Sequence, residues 1–285
     1  MQIPKKIFRA KIVADFDTSY NRAWIYDRFV DDDTLRTLSN SQSERRINLS
    51  IKEEFENHIS YLNFYEIPGY YLDNISDALL IGGGAYVYPA YIGSTHPEIH
   101  LDVVEIDQEL INVAKKYFGY IESNQVTNHF VDGRVFLNEN QNKYDVIYLD
   151  AYRNGDAIPF QLATQEAYQK IHNSLRTDGI FLVNIIGTLE GIDSRLLHSQ
   201  VKTITSVFDG IKIFPVSTEN KNKRQNIIII ATKGSIAENL QKPSSWMQQI
   251  LSQEVQVSNI STQDNWSIMT DNYAPLEYYD LQHYL

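Results

Sequence analysis

The sequence predicts an α/β fold: a seven-stranded, mostly parallel sheet covered by helices on both faces, with a small antiparallel β segment in front of it. Strands are expected at 78–82, 101–105, 126–131, 144–149, 179–186, 211–216 and 226–232, several of them the short apolar runs typical of strands buried on both faces. Helical periods lie between them at about 86–96, 107–118, 134–139, 164–174 and 193–208, and strands alternating with helices indicate parallel pairing. Only STENKNKRQ (217–225) separates the last two strands, too short for a crossover helix, so these two pair antiparallel at one edge.

Ahead of the sheet, residues 8–38 alternate apolar and polar at period two, with Asp31, Asp32 and Asp33 turning the chain between two runs. Ile51, Phe55, Ile59 and Leu62 share one face of a helix expected over 51–65. A further helix is expected at 236–252, followed by an irregular tail. The loop 217–225 reads as a solvated, basic hairpin tip. The expected division is an N-terminal β segment over 1–50 and one large domain over 51–285.

The 285 residues are 43% hydrophobic, enough for a substantial core, and the formal charge of −11 disfavours nucleic acid and anionic membrane surfaces. The absence of cysteine excludes disulfides, thiolate metal sites and cysteine nucleophiles. The first residues carry no apolar signal core, and no run of about 18 apolar residues occurs, so a soluble, cytoplasmic protein is expected. The seven histidines form no HxH or HExxH pattern, and no metal is expected.

Function is concentrated between Ala78 and Glu105. The apolar run ALLI leads into Gly82, Gly83 and Gly84, where bare backbone can approach a ligand, and a second run ends in Glu105. That interval holds one βαβ unit, and an acid at the tip of its second strand can accept hydrogen bonds from a ribose diol. An adenosine-containing ligand fits. Val87 stands where a dinucleotide fingerprint needs its third glycine, and there is no GxxxxGK[ST] loop, so dinucleotides and nucleoside triphosphates are disfavoured. Asp132 and Asp150 close two further strands, bringing three carboxylates to the carboxyl ends of the sheet, where open α/β folds bind ligands.

Several stretches in order, QSERR (42–46), LLIGGG (79–84), VVEID (103–107), VDGRVFL (131–137), YDVIYLDAY (144–152), IPFQLATQEAYQ (158–169) and TDNYAPLE (270–277), resemble the spermidine synthase family. The fold so implied is the class I S-adenosylmethionine-dependent, Rossmann-like type. The resemblance implies transfer of an aminopropyl group to an amine or other small acceptor, with S-adenosylmethionine or its decarboxylated form as co-substrate. It also implies a homodimer. Carried over, Gln42 and Gly82 to Gly84 would line the sulfonium end, Glu105 would hold the ribose, and Asp132 with Gly133 would meet the adenine. Asp150 would be the catalytic acid that orients the amine and accepts its proton. Tyr152, Arg153 and Asp156 would face the acceptor.

Three departures point away from a diamine acceptor. Ala85 stands where the family carries an aspartate, and Asp150-Ala151-Tyr152-Arg153 replaces an acid-rich run. The family's tyrosine-glutamine-glutamate run has no clear counterpart in NHISYLNFYE. A methyltransferase with a non-polyamine acceptor and a non-catalytic adenosyl-binding homologue remain as alternatives.

Overall fold

A computed structural model describes residues 9–30, 33–39, 61–152, 158–191, 194–234, 236, 242–260 and 266–281. Its main sheet has seven strands in the order β6-β5-β4-β7-β8-β10-β9. These are β4 (Asp77–Ile81), β5 (His100–Val104), β6 (Val126–His129), β7 (Tyr144–Leu149), β8 (Leu175–Gly187), β9 (Gly210–Pro215) and β10 (Gln225–Thr232). The strands from β6 to β8 pair parallel, whereas β10 runs antiparallel to both β8 and β9, the edge hairpin expected from the short linker.

The apolar runs exist because the central strands bury both faces, whereas β6 at the sheet edge is only partly buried. Ala78, Leu80, Val103, Tyr148, Leu182 and Ile228 face one core, while Leu79, Ile81, Val104, Ile147, Val183 and Ile229 face the other. A fully buried leucine or isoleucine contributes roughly 1.5–3 kcal/mol, so the paired cores dominate cohesion. The first core is closed by helices Val87–Thr95, Glu109–Tyr117 and Ser245–Leu251, and the second by Gly133–Glu139, Gln165–Ser174 and Arg195–Thr205. Thr164, Asp132 and Ser244 each accept backbone N–H groups as helix N-caps.

The N-terminal segment is a three-stranded antiparallel sheet, β1 (Arg9–Asp17), β2 (Arg22–Val30) and β3 (Asp33–Ser39), and lends Ile25 and Leu38 to the first core. It has one more turn than the two runs expected. At Thr18–Asn21 the hydroxyl of Thr18 donates to the Asn21 carbonyl and accepts from its N–H, closing a tight reversal without glycine or proline. Asp33 begins a strand instead of lying in a turn.

The expected helix over 51–65 is described only from residue 61, where Tyr61–Glu66 is 3-10 and Ile67–Tyr71 is α-helical. Of the helix expected over 236–252, Ser245–Leu251 forms within the described residues. Gln42, Arg153 and Asp156 lie outside the described residues. Among those described, no helix is long and apolar enough to cross a membrane.

Candidate active site

At the carboxyl end of β4 the chain turns through Gly82 (φ +103°) and Gly84 (φ +53°) into Tyr86, which itself has φ +59° and precedes the helix Val87–Thr95. A Cβ on Gly82 would lie 2.4 Å from the Asp150 carbonyl oxygen, so only glycine lets the turn pass the end of β7. The turn is tied to both neighbouring strands: Gly82 N donates to Val104 O (2.9 Å), and Asp150 N donates to Ile81 O (2.9 Å).

Glu105 reaches back across this turn. Its Oε2 accepts from the N–H groups of Gly83 (2.9 Å) and Gly84 (3.3 Å), and its Oε1 accepts from Asp107 N (2.9 Å). Burial raises its pKa, and the three backbone donors oppose that rise. The side chain is 8% exposed and borders a cleft of about 1460 Å³ that also contains Gly82, Gly83 and Gly84. Oε1, with a single donor, keeps a second lone pair to offer a hydroxyl.

Asp132 caps the helix Gly133–Glu139: its Oδ1 accepts from Arg134 N (2.8 Å) and Val135 N (3.1 Å), leaving Oδ2 toward Gln161. Gly133 is buried against Ile81, whose Cγ2 would meet an added Cβ at 2.7 Å. Both line the cleft.

Asp150, at the end of β7, receives Asn184 Nδ2 on Oδ1 (2.9 Å) and the Tyr61 hydroxyl on Oδ2 (3.3 Å). The Asn184 amide is oriented in turn by Asn226, whose Nδ2 donates to Asn184 Oδ1 (3.1 Å). Burial raises the Asp150 pKa, opposed by Asn184, Tyr65 and Tyr61. The buried Tyr65 hydroxyl sits near enough to favour the charged carboxylate, although it makes no hydrogen bond of standard geometry. A carboxylate with a raised pKa and two fixed donors can hold an ammonium and take a proton from it. Tyr152 also lines the cleft, its hydroxyl donating to the Asn184 backbone carbonyl (2.6 Å).

Tyr61, Asn184 and Gln161 join this cleft without having been singled out by the sequence. From NHISYLNFYE, Tyr61 reaches the cleft and donates to Asp150. Asn184 carried one signal, a lone amide inside the apolar run FLVNII. The hairpin 217–225 is also more than a solvated tip, because Asn222 through Gln225 border the cleft, continued by Asn226 of β10. Among the described residues no group of three or more histidine or carboxylate side chains could hold a metal ion.

Residues 63–233 match the spermine/spermidine synthase domain. The chain belongs to the spermine/spermidine synthase family. This family member is 30% identical over 172 residues to a probable polyamine aminopropyl transferase of Bifidobacterium longum, covering 60% of this chain and 38% of that protein. It is 32% identical over 148 residues to a polyamine aminopropyltransferase of Vibrio vulnificus, covering 51% and 48%. The matched stretch thus spans less than half the length of either relative. A crystal structure of spermidine synthase in complex with the transition state analogue AdoDATO superposes with a TM-score of 0.66 at 16% identity, over 85% of this chain and 84% of that one. That likeness shows the shared class I methyltransferase-like fold.

Proposed function

We propose that this chain transfers an aminopropyl group from decarboxylated S-adenosylmethionine, or an alkyl group from the intact compound, to a small amine acceptor. The observation that supports it is Asp150, a carboxylate fixed by Asn184 and Tyr61 in the same cleft as Glu105 and the glycine turn. Glu105 accepts the ribose hydroxyls, Gly82 to Gly84 and Gln42 border the sulfonium end, and Asp132 with Gly133 faces the adenine. Asp150 takes a proton from the acceptor ammonium. The freed nitrogen lone pair attacks the carbon next to sulfur; the C–N bond forms as the C–S bond breaks, and the bonding pair neutralises the sulfonium. Alkylamines titrate near the lysine value of about 10.4, so without such a base the nucleophile is scarce at neutral pH. Holding both reactants in line is worth several kcal/mol more.

Tyr152, Arg153 and Asp156 are the acceptor-facing residues in this reading. The chain divides into an N-terminal β segment (1–50) and a catalytic domain (51–285), and acts as a cytoplasmic homodimer. Incubation with decarboxylated S-adenosylmethionine and putrescine, read as 5′-methylthioadenosine release, is the direct test. No product at millimolar diamine removes putrescine as acceptor.

A second reading, methyl transfer, is favoured by Ala85, a buried alanine where the resemblance expects an aspartate. It releases S-adenosylhomocysteine instead. Binding without turnover of either co-substrate is the outcome expected of a non-catalytic homologue.

A further inference from the structure

On the cleft wall, the segment after Ile158 meets the Asp132 cap through Gln161. Gln161 is held there through its main chain, because Arg134 Nη1 donates to its carbonyl (2.9 Å) while the same guanidinium grips Asp271. Its side chain is not equally satisfied. Nε2 makes one long contact to Asp132 Oδ2 (3.4 Å), and Oε1 is buried without a partner. A buried acceptor left unpaired is destabilising, and a donor supplied by a ligand would satisfy it. Asp132 also sets which way the amide faces: its Oδ1 is occupied by the helix N–H groups, and turning the amide over would set two oxygens against each other. The flanks are apolar and open, with Phe160 43% and Ile106 37% exposed on the same cleft. Such exposure fits the faces of a flat ring.

We propose that Gln161 reads the edge of the nucleobase and selects a 6-aminopurine over a 6-oxopurine. This deepens, and rests on, the adenosyl reading above. An exocyclic amine carries two protons, one for Asp132 Oδ2 and one for Gln161 Oε1, while the Gln161 amide N–H can donate to a ring nitrogen, the pairing by which glutamine recognises adenine elsewhere. A 6-oxo base presents an acceptor to two acceptors.

The test is calorimetric titration of the full chain with 5′-methylthioadenosine and 5′-methylthioinosine. The wild-type protein should prefer the 6-amino compound by about tenfold or more. Gln161→Leu, which leaves the main-chain bond from Arg134 in place, should weaken 5′-methylthioadenosine by about three- to tenfold and leave 5′-methylthioinosine within about twofold. Gln161→Asn, which withdraws the amide by one methylene, should give the same pattern if the leucine variant folds poorly. Binding of 5′-methylthioadenosine with an unchanged 6-amino to 6-oxo ratio in the variants overturns the role of Gln161 alone. Failure of the wild-type chain to bind either compound overturns the adenosyl reading and this inference with it.

Discussion

Asn184 is 1% exposed in the middle of β8, between Val183 and Ile185, where an apolar residue would pack at no polar cost. Its amide repays that cost by donating to Asp150, and Asn226 keeps it from turning over. Removing the donor should raise the Asp150 pKa beyond the rise that burial already causes. Asn184→Ala is therefore expected to move the acid limb of the kcat/KM profile to higher pH and cut the rate below it by about tenfold, as for one hydrogen bond to a charged group. Affinity for 5′-methylthioadenosine should not change. An unmoved acid limb, or an Asp150 carboxyl resonance titrating as in the wild type, would show that Asn184 only fills space. At this scale the sequence was readable where a residue ends an apolar run, as Glu105, Asp132 and Asp150 do. It was silent where partners come from afar: Tyr61 is 89 positions from Asp150, and Asn184 is 34.

Whole elements were easier to read than their ends. The strands β4, β7 and β10 were visible because burial on both faces keeps them almost wholly apolar, whereas edge strand β6 (VTNH) is only partly buried and carries a weaker signal; the antiparallel edge followed from linker length. The Thr18–Asn21 reversal escaped because it is closed by the Thr18 hydroxyl, without the glycine or proline that most plainly marks a turn. Likewise β8 starts at Leu175, since its polar first residues, Arg176 to Asp178, are exposed and do not look like a buried strand. The glycine turn is the element on which the cleft depends, and the two kinds of glycine in this chain can be told apart. At Gly82 a methyl group meets both a positive φ and the Asp150 carbonyl at 2.4 Å. Gly82→Ala should cost roughly 3 kcal/mol, lowering Tm by about 6–12 °C, and should weaken adenosyl-thioether binding. At Gly69, inside the helix Ile67–Tyr71, nothing lies within 4 Å of an added Cβ. Gly69→Ala should raise stability by about 0.5–1 kcal/mol. Differential scanning calorimetry of the two variants decides, and equal effects would mean that the turn tolerates a side chain.

Across the molecule, burial pushes one set of titrating groups in a single direction. The hydroxyls of Tyr65, Tyr86, Tyr88, Tyr144, Tyr148 and Tyr168 are all raised by desolvation, several of them beside one another in the core behind the Asp150 cleft. An unfolded tyrosine ionises near about 10, while these resist, so the native state binds more protons above that pH. The stability they contribute is complete below about pH 10 and is lost as pH climbs toward their folded values. Glu66, Glu105 and Asp150 are raised by burial as well, and their contribution is lost earlier, as pH rises above the ordinary carboxylate range. Asp145 and Asp271 go the other way: burial pushes them up, but Arg176 and the Thr164–Arg134 pair outweigh it, so their contribution disappears only as pH falls below about 3.8. The ligand-free chain should therefore be most stable on the acid side of neutral and decline gently through neutrality. It should then unfold cooperatively above about pH 10, with tyrosinate absorbance and loss of far-ultraviolet circular dichroism appearing in the same step. A cationic sulfonium ligand, placed among those carboxylates, should raise Tm more at alkaline than at acid pH, whereas the neutral thioether should not. Tyrosinate absorbance developing gradually while the circular dichroism holds would mean that the buried hydroxyls reach solvent in the native fold, and the coupling between this aromatic core and global stability would fail.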